Sequence, residues 1–158
     1  MKRLVLTLGL PRSGKTTWAR QQGVPIVNPD AIRLALHGER FIGLAEPFVW
    51  AIAKCMVRAL FLAGHSTVIL DATNVTKKRR DEWKSDEWTR AVKLIQSSAE
   101  TCRTIAHGLN DEYIIPIIDK MAAEWEAPTQ AEGFIVIDDD IEAIDLAAHG
   151  LTPEGHVA

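Results

Sequence analysis

Apolar positions along the chain alternate between short β-branched runs and longer amphipathic stretches. KRLVLTLG is an apolar run that closes on Gly9, which predicts a first strand. Residues 15–22 then open a helix. Ile26-Val27 predicts a short second strand. Asn28-Pro29 predicts a helix start, because asparagine accepts from the free N–H groups of a first turn and proline's fixed φ suits the first helical position. Residues 47–63 are apolar on most faces and stop at Gly64, which predicts a buried helix. A strand follows over residues 67–70, a polar helix over 76–88 and a strand over 91–95. Further helices are expected from about Ala99 and over 116–125, with a last strand over 134–137. Strands alternating with helices predict an α/β fold of three layers, a parallel sheet with helices on both faces.

Composition narrows this picture. A chain of 158 residues, 47% of them hydrophobic, supports one core and not two ordinary domains. We expect a single domain over residues 1–140, with a small helical lid at about 99–125. Residues 141–158, with Gly150, Pro153 and Gly155, read as an acidic, loosely held tail. No apolar run reaches 18 residues, so no membrane contact is expected. The apolar N-terminal run lacks a small-residue cleavage site and leads straight into Gly9, so it reads as a strand and not a leader. Cys55 and Cys102 show no metal-ligand spacing and read as reduced core thiols of a cytoplasmic protein. Charge is unevenly spread. Residues 1–110 hold 17 Lys/Arg against 9 Asp/Glu, whereas residues 111–158 hold one Lys against 12 Asp/Glu. The basic part suits an anionic ligand.

GLPRSGKT carries GxxxxGK[ST] at Gly9, Gly14, Lys15 and Thr16, between the first strand and a helix. This is a Walker A phosphate loop. Its glycines let successive N–H groups aim at phosphate oxygens, Lys15 adds a point charge, and the Thr16 hydroxyl suits Mg²⁺. The helix that follows turns its positive end to the same anion. Gly9, Pro11, Arg12, Ser13, Gly14, Lys15, Thr16 and Thr17 are therefore the candidate nucleotide-binding residues, with ATP and Mg²⁺ as cofactors. Arg12 lies inside the loop, either pointing to solvent or adding a cation near the transferred phosphate.

Two carboxylates follow. Asp30 and Arg33 in VNPDAIR are three apart near a helix start and share a face. Asp30 follows the second strand at the edge where open α/β sheets bind ligands, so it is either a general base or a first-turn partner of Arg33. Asp71 ends the apolar run of STVILDATN, the usual place for a second Mg²⁺ ligand, with Asp138 after FIVI as a competitor. Thr73 and Asn74 are candidate hydrogen-bonding partners. Lys77, Lys78, Arg79 and Arg80 then open a helix, where cations oppose the dipole. They read as contacts to a nucleic-acid backbone or as a solvated face balanced by Asp81, Glu82, Asp86 and Glu87.

Taken in order, GLPRSGKTTWAR, VNPDAIR, ILDATN and VTKKRRDEW resemble four blocks of the phage-type 5′-polynucleotide kinase family of P-loop kinases. The resemblance implies Asp30 as general base, Arg33 as a substrate-phosphate contact, and Asp71 and Asn74 at the site, with Lys77, Arg79 and Arg80 on the acceptor side. It also implies DNA, before RNA, as partner, and a phage protein in the host cytoplasm. Related kinases phosphorylate the hydroxymethyl group of 5-hydroxymethyluracil in DNA. Where that family has an arginine-rich lid, CRTIAHGLNDEYIIP has one arginine, Arg103. Either the contact to the transferring phosphate falls to Arg103 or to Arg12, or the lid differs because the acceptor differs. Two other functions fit the phosphate loop: a kinase of a small nucleoside or sugar, and an ATPase or nucleotide switch without an acceptor. The chain is short for a full AAA module.

Overall fold

β1 (Arg3–Leu8) pairs in parallel with β3 (Thr67–Leu70) on one side and β4 (Thr89–Leu94) on the other. β2 (Ile26–Val27) adds to β3 and β5 (Ile135–Val136) adds to β4, both parallel, giving the order β2-β3-β1-β4-β5. The structure is a computed structural model and describes residues 1–141. Of the tail expected from 141 onward, all but Ile141 lies outside the described residues. Ile141 itself is buried, and its N–H donates to Gln22 Oε1 at 2.8 Å. No helix among the described residues is long and apolar enough to cross a membrane.

Parallel strands must be covered on both faces, so they read as continuous apolar runs. All four residues of β3 are buried, as are Leu4 to Leu8 of β1. Successive side chains point to opposite faces. Leu4 and Leu6 meet Val49, Ala53, Val57 and Phe61 of α3 (Glu46–Leu62). Leu8 meets Cys102 and Ala106 of α5 (Ala99–Gly108) and Ile118 of α6 (Ile115–Glu124). On the other face Val5, Ile69 and Ala91 pack on Ala19 of α1 (Lys15–Gln21). The expected three layers are therefore present. α2 (Pro29–His37) is capped as its sequence predicts, with Asn28 Oδ1 accepting from the Ala31 N–H at 3.1 Å.

Some expectations need correction. α3 is buried along one stripe of fourth residues, while Phe48, Met56 and Leu62 are exposed, so it is not a fully buried helix. Cys55 on its outer side is exposed, not core. The polar helix α4 runs only over Lys77–Asp81 and not to residue 88. Trp83 and Trp88 are both buried, and residues five apart do not share a helix face. The chain turns instead, and Trp88 Nε1 donates to the Trp83 carbonyl at 3.0 Å.

Two residues expected at the site, Arg80 and Asn74, are buried and bonded within the fold. Arg80 is fully buried and donates through Nε and Nη2 to the Glu132 carboxylate at 2.8 and 3.2 Å. Its Nη1 reaches the Asn74 carbonyl at 2.9 Å. Arg90 adds bonds to the carbonyls of Arg80 and Glu132 at 2.8 and 2.6 Å. Burial alone raises the Glu132 carboxyl, but Arg80 and the Thr129 N–H outweigh it and hold it below the usual range. Asn74 is also buried; its amide donates to the Thr7 carbonyl at 2.8 Å, stitching β1 to the segment after β3. The Asn74 Oδ1 has no hydrogen-bond partner among the described residues.

A buried ion pair is most costly when only one partner is removed. Arg80→Met or Glu132→Gln is expected to lower stability by about 3–5 kcal/mol, read from the urea midpoint. The double variant Arg80→Met/Glu132→Leu should recover most of that loss. Single variants with wild-type midpoints would show that the pair does not hold this corner.

Candidate active site

The turn between β1 and α1 is shaped by crowding. A Cβ on Gly9 would lie 2.7 Å from Ser13 Oγ and 2.9 Å from the Ile95 carbonyl oxygen, closer than real contacts allow. Gly14 caps α1 with φ 100, a conformation that side chains disfavour. Arg12 adopts φ 65 without being glycine. In this loop Lys15 folds back, and its Nζ donates to the Leu10 carbonyl at 2.6 Å. Burial lowers its pKa from 10.5 to about 8, against the opposing charges of Asp71 and Asp30. Pro11 and Ser13 are half-buried beside it, and Thr17 is exposed on the first turn of α1.

Thr16 Oγ1 donates to Asp71 Oδ2 at 2.7 Å. Asn28 Nδ2 donates to the same oxygen at 2.9 Å. A loop hydroxyl and a strand-end carboxylate in contact are hard oxygen donors, and they fit a Mg²⁺ ion that keeps several waters and phosphate oxygens. Asp138, the competing carboxylate, lies after the edge strand β5.

Asp30 stands on the first turn of α2 with its side chain 84% exposed. Arg33 Nη1 donates to Asp30 Oδ1 at 2.7 Å. The other edge of that guanidinium is held by Glu46 of α3 in two bonds of 2.9 and 2.6 Å. Burial would lower the Arg33 pKa, but Glu46 and Asp30 outweigh it and raise it further. Arg33 is 13% exposed, so its first role here is to hold Asp30. Glu46 carried no sequence signal beyond its place in a helical first turn.

The remaining cations divide. Arg103 on α5 bonds Asp119 of α6 at 2.5 Å and ties those two helices together. Lys77 pairs with Asp81 at 2.5 Å. Arg79 pairs with Glu82 at 3.0 Å and lies 4.3 Å over the Trp50 ring. The arginine that leaves the phosphate loop for the α5–α6 turn is Arg12, which meets Asp111 at 2.7 Å.

The buried Lys15 ammonium makes a test by pH. The folded chain gives up this proton at about 8 and the unfolded chain near 10.5. Between those values only the unfolded chain holds it, so this group adds stability as pH rises and subtracts it below pH 8. Lys15→Met is therefore expected to melt above the wild type at pH 7, with the gap narrowing from pH 8 to 10. A gap independent of pH would contradict the burial of a charged amine.

A family model described as an AAA domain matches residues 4–105, from β1 through most of α5. Among solved structures, a sugar kinase from Janibacter sp. HTCC2649 superposes with TM-score 0.61 at 21% identity, over 100% of both chains. A gluconokinase from Sinorhizobium meliloti 1021 gives 0.56 at 16% identity, over 84% of this chain and 80% of that one. A chain of the Pnkp1/Rnl/Hen1 complex gives 0.58 at 24% identity, over 65% of this chain and 38% of that one. At these identities the likeness is one of fold. The family match covers more than half of the sequence, and the chain belongs to the AAA domain family, with the P-loop kinase fold.

Proposed function

We propose that the protein is a Mg-ATP-dependent phosphotransferase whose acceptor is a hydroxyl group on nucleic acid, DNA before RNA. The observation that carries the kinase reading is Asp30. It is an exposed carboxylate held by Arg33, whose guanidinium is braced in turn by Glu46, at the same sheet edge as Lys15, Thr16 and Asp71.

In this reading the acceptor oxygen attacks the γ-phosphorus as its proton passes to Asp30. The bond from the γ-phosphorus to the β–γ bridging oxygen breaks, and ADP leaves with that electron pair. Lys15 and the N–H groups of residues 14–16 oppose the charge on the phosphates. Thr16 and Asp71 would hold Mg²⁺, which when bound neutralises charge on the β- and γ-phosphates.

The polymer acceptor is supported by the basic balance of residues 1–110 and by the exposed Lys77 and Lys78 beside Arg79 on α4. A small sugar or nucleoside is the second reading. It is favoured by the burial of Arg80 and Asn74, which removes two of the acceptor-side contacts, and by the sugar kinase that matches over its whole length.

Labelled ATP offered with DNA bearing free 5′ ends, DNA bearing hydroxymethyl bases, nucleosides and aldonic sugars separates these readings. Label is expected on one of the DNA acceptors; label on a small acceptor alone selects the second reading. Asp30→Asn is expected to lower turnover by about 10²–10⁴-fold while ATP affinity stays within about twofold. Full activity in that variant would remove Asp30 from the base role.

A further inference from the structure

Asp111 sits in the turn between α5 and α6 and is gripped from two distant segments. Arg12 Nη2, from the phosphate loop, donates to its Oδ2 at 2.7 Å. Arg40, just after α2, donates through Nη1 to Oδ1 at 2.6 Å and through Nη2 to Oδ2 at 3.1 Å. The Arg40 guanidinium also lies 4.5 Å over the Tyr113 ring. The Asp111 side chain is 9% exposed, while the two arginines remain 39% and 47% exposed. Hydrogen bonds from Arg40 and then Arg12 outweigh burial and hold the carboxyl at about 2, so it is an anion at any working pH.

Three features show that this is more than a surface pairing. First, Arg12 keeps a left-handed backbone at φ 65, in a loop where glycine would be relaxed. Second, Asp111 is held across 99 and 71 residues of sequence, by a side chain of the phosphate loop and by one just after α2, the helix that carries Asp30. Third, two guanidiniums offer up to ten N–H donors to one carboxylate, whereas a phosphoryl group brings three oxygens and more charge. None of the four motif blocks contains Arg40 or Asp111.

We propose that Arg12 and Arg40 form the γ-phosphoryl subsite of the donor nucleotide, and that Asp111 fills this subsite as an internal stand-in until a nucleoside triphosphate displaces it. The α5–α6 turn is then latched shut by its own carboxylate and released by the donor. This rests on the reading that the loop takes a nucleoside triphosphate, and it does not depend on the acceptor.

Titration calorimetry of the full chain with MgATP and MgADP, without acceptor, tests it. Asp111→Asn keeps the shape and removes the competing charge. It is expected to tighten MgATP about tenfold and to leave MgADP within about twofold, the scale of one charge-assisted contact. Arg40→Gln should weaken MgATP about tenfold, again sparing MgADP. Arg12→Gly relieves the backbone while removing the cation, so it should fold and show the same loss. Equal changes for the two nucleotides, or weaker MgATP binding in Asp111→Asn, would overturn the subsite. So would an Arg40→Gln variant that raises the acceptor KM with an unchanged ATP/ADP ratio, which would assign Arg40 to an acceptor phosphate. A wild-type chain that binds neither nucleotide would instead overturn the kinase reading itself.

Discussion

One carboxylate oxygen joins three parts of the chain. Asp71 Oδ2, at the end of β3, accepts from Thr16 on the first turn of α1 and from Asn28 at the start of α2. The parallel register makes this meeting possible, because β1, β2 and β3 all finish at the same edge. Each strand then delivers its following turn there: the phosphate loop, the Asp30 turn and the Asp71 turn. A buried carboxylate left without donors is costly, so the hydroxyl and amide that satisfy it also set the spacing of the site. Asn28 serves both ends of this arrangement. Its Oδ1 caps α2 and its Nδ2 holds Asp71, so the helix that carries Asp30 is anchored to the carboxylate at the end of β3.

The donor side was largely legible in the sequence because its information is local. Gly9 to Thr16 is one contiguous loop, and the strand before it and the helix after it follow from hydropathy alone. β2 and β3 begin and end where their β-branched runs do. The acceptor side is another matter. Arg33, Asn74 and Arg80 look alike in a linear reading, as polar residues near short motifs. Burial separates them: Arg80 closes a buried pair with Glu132, 52 residues away, and Asn74 stitches loops. Arg33 leans on Glu46, 13 residues on, which no periodicity marks. Partners at such separations are set by the packing of α2 on α3 and of the 130–132 turn on α4.

The missing lid arginine has the same explanation. A reading confined to residues 99–125 finds only Arg103, which is spent on Asp119. The charge contacts with the α5–α6 turn run the other way, from Arg12 and Arg40 to Asp111. The cations that meet Asp111 belong to the phosphate loop and to the segment after α2, not to the helical pair itself.

The central claim is phosphoryl transfer to a hydroxyl, driven by a donor loop and a separate base. Phosphorus NMR of MgATP incubated with the chain and the DNA and small-molecule acceptors tests this most directly, since it distinguishes the two fates of the γ-phosphate. The account predicts that the γ-resonance is replaced by a phosphomonoester signal on one acceptor, in step with ADP and with little orthophosphate. Orthophosphate accumulating at the same rate with every acceptor, or with none, would contradict it.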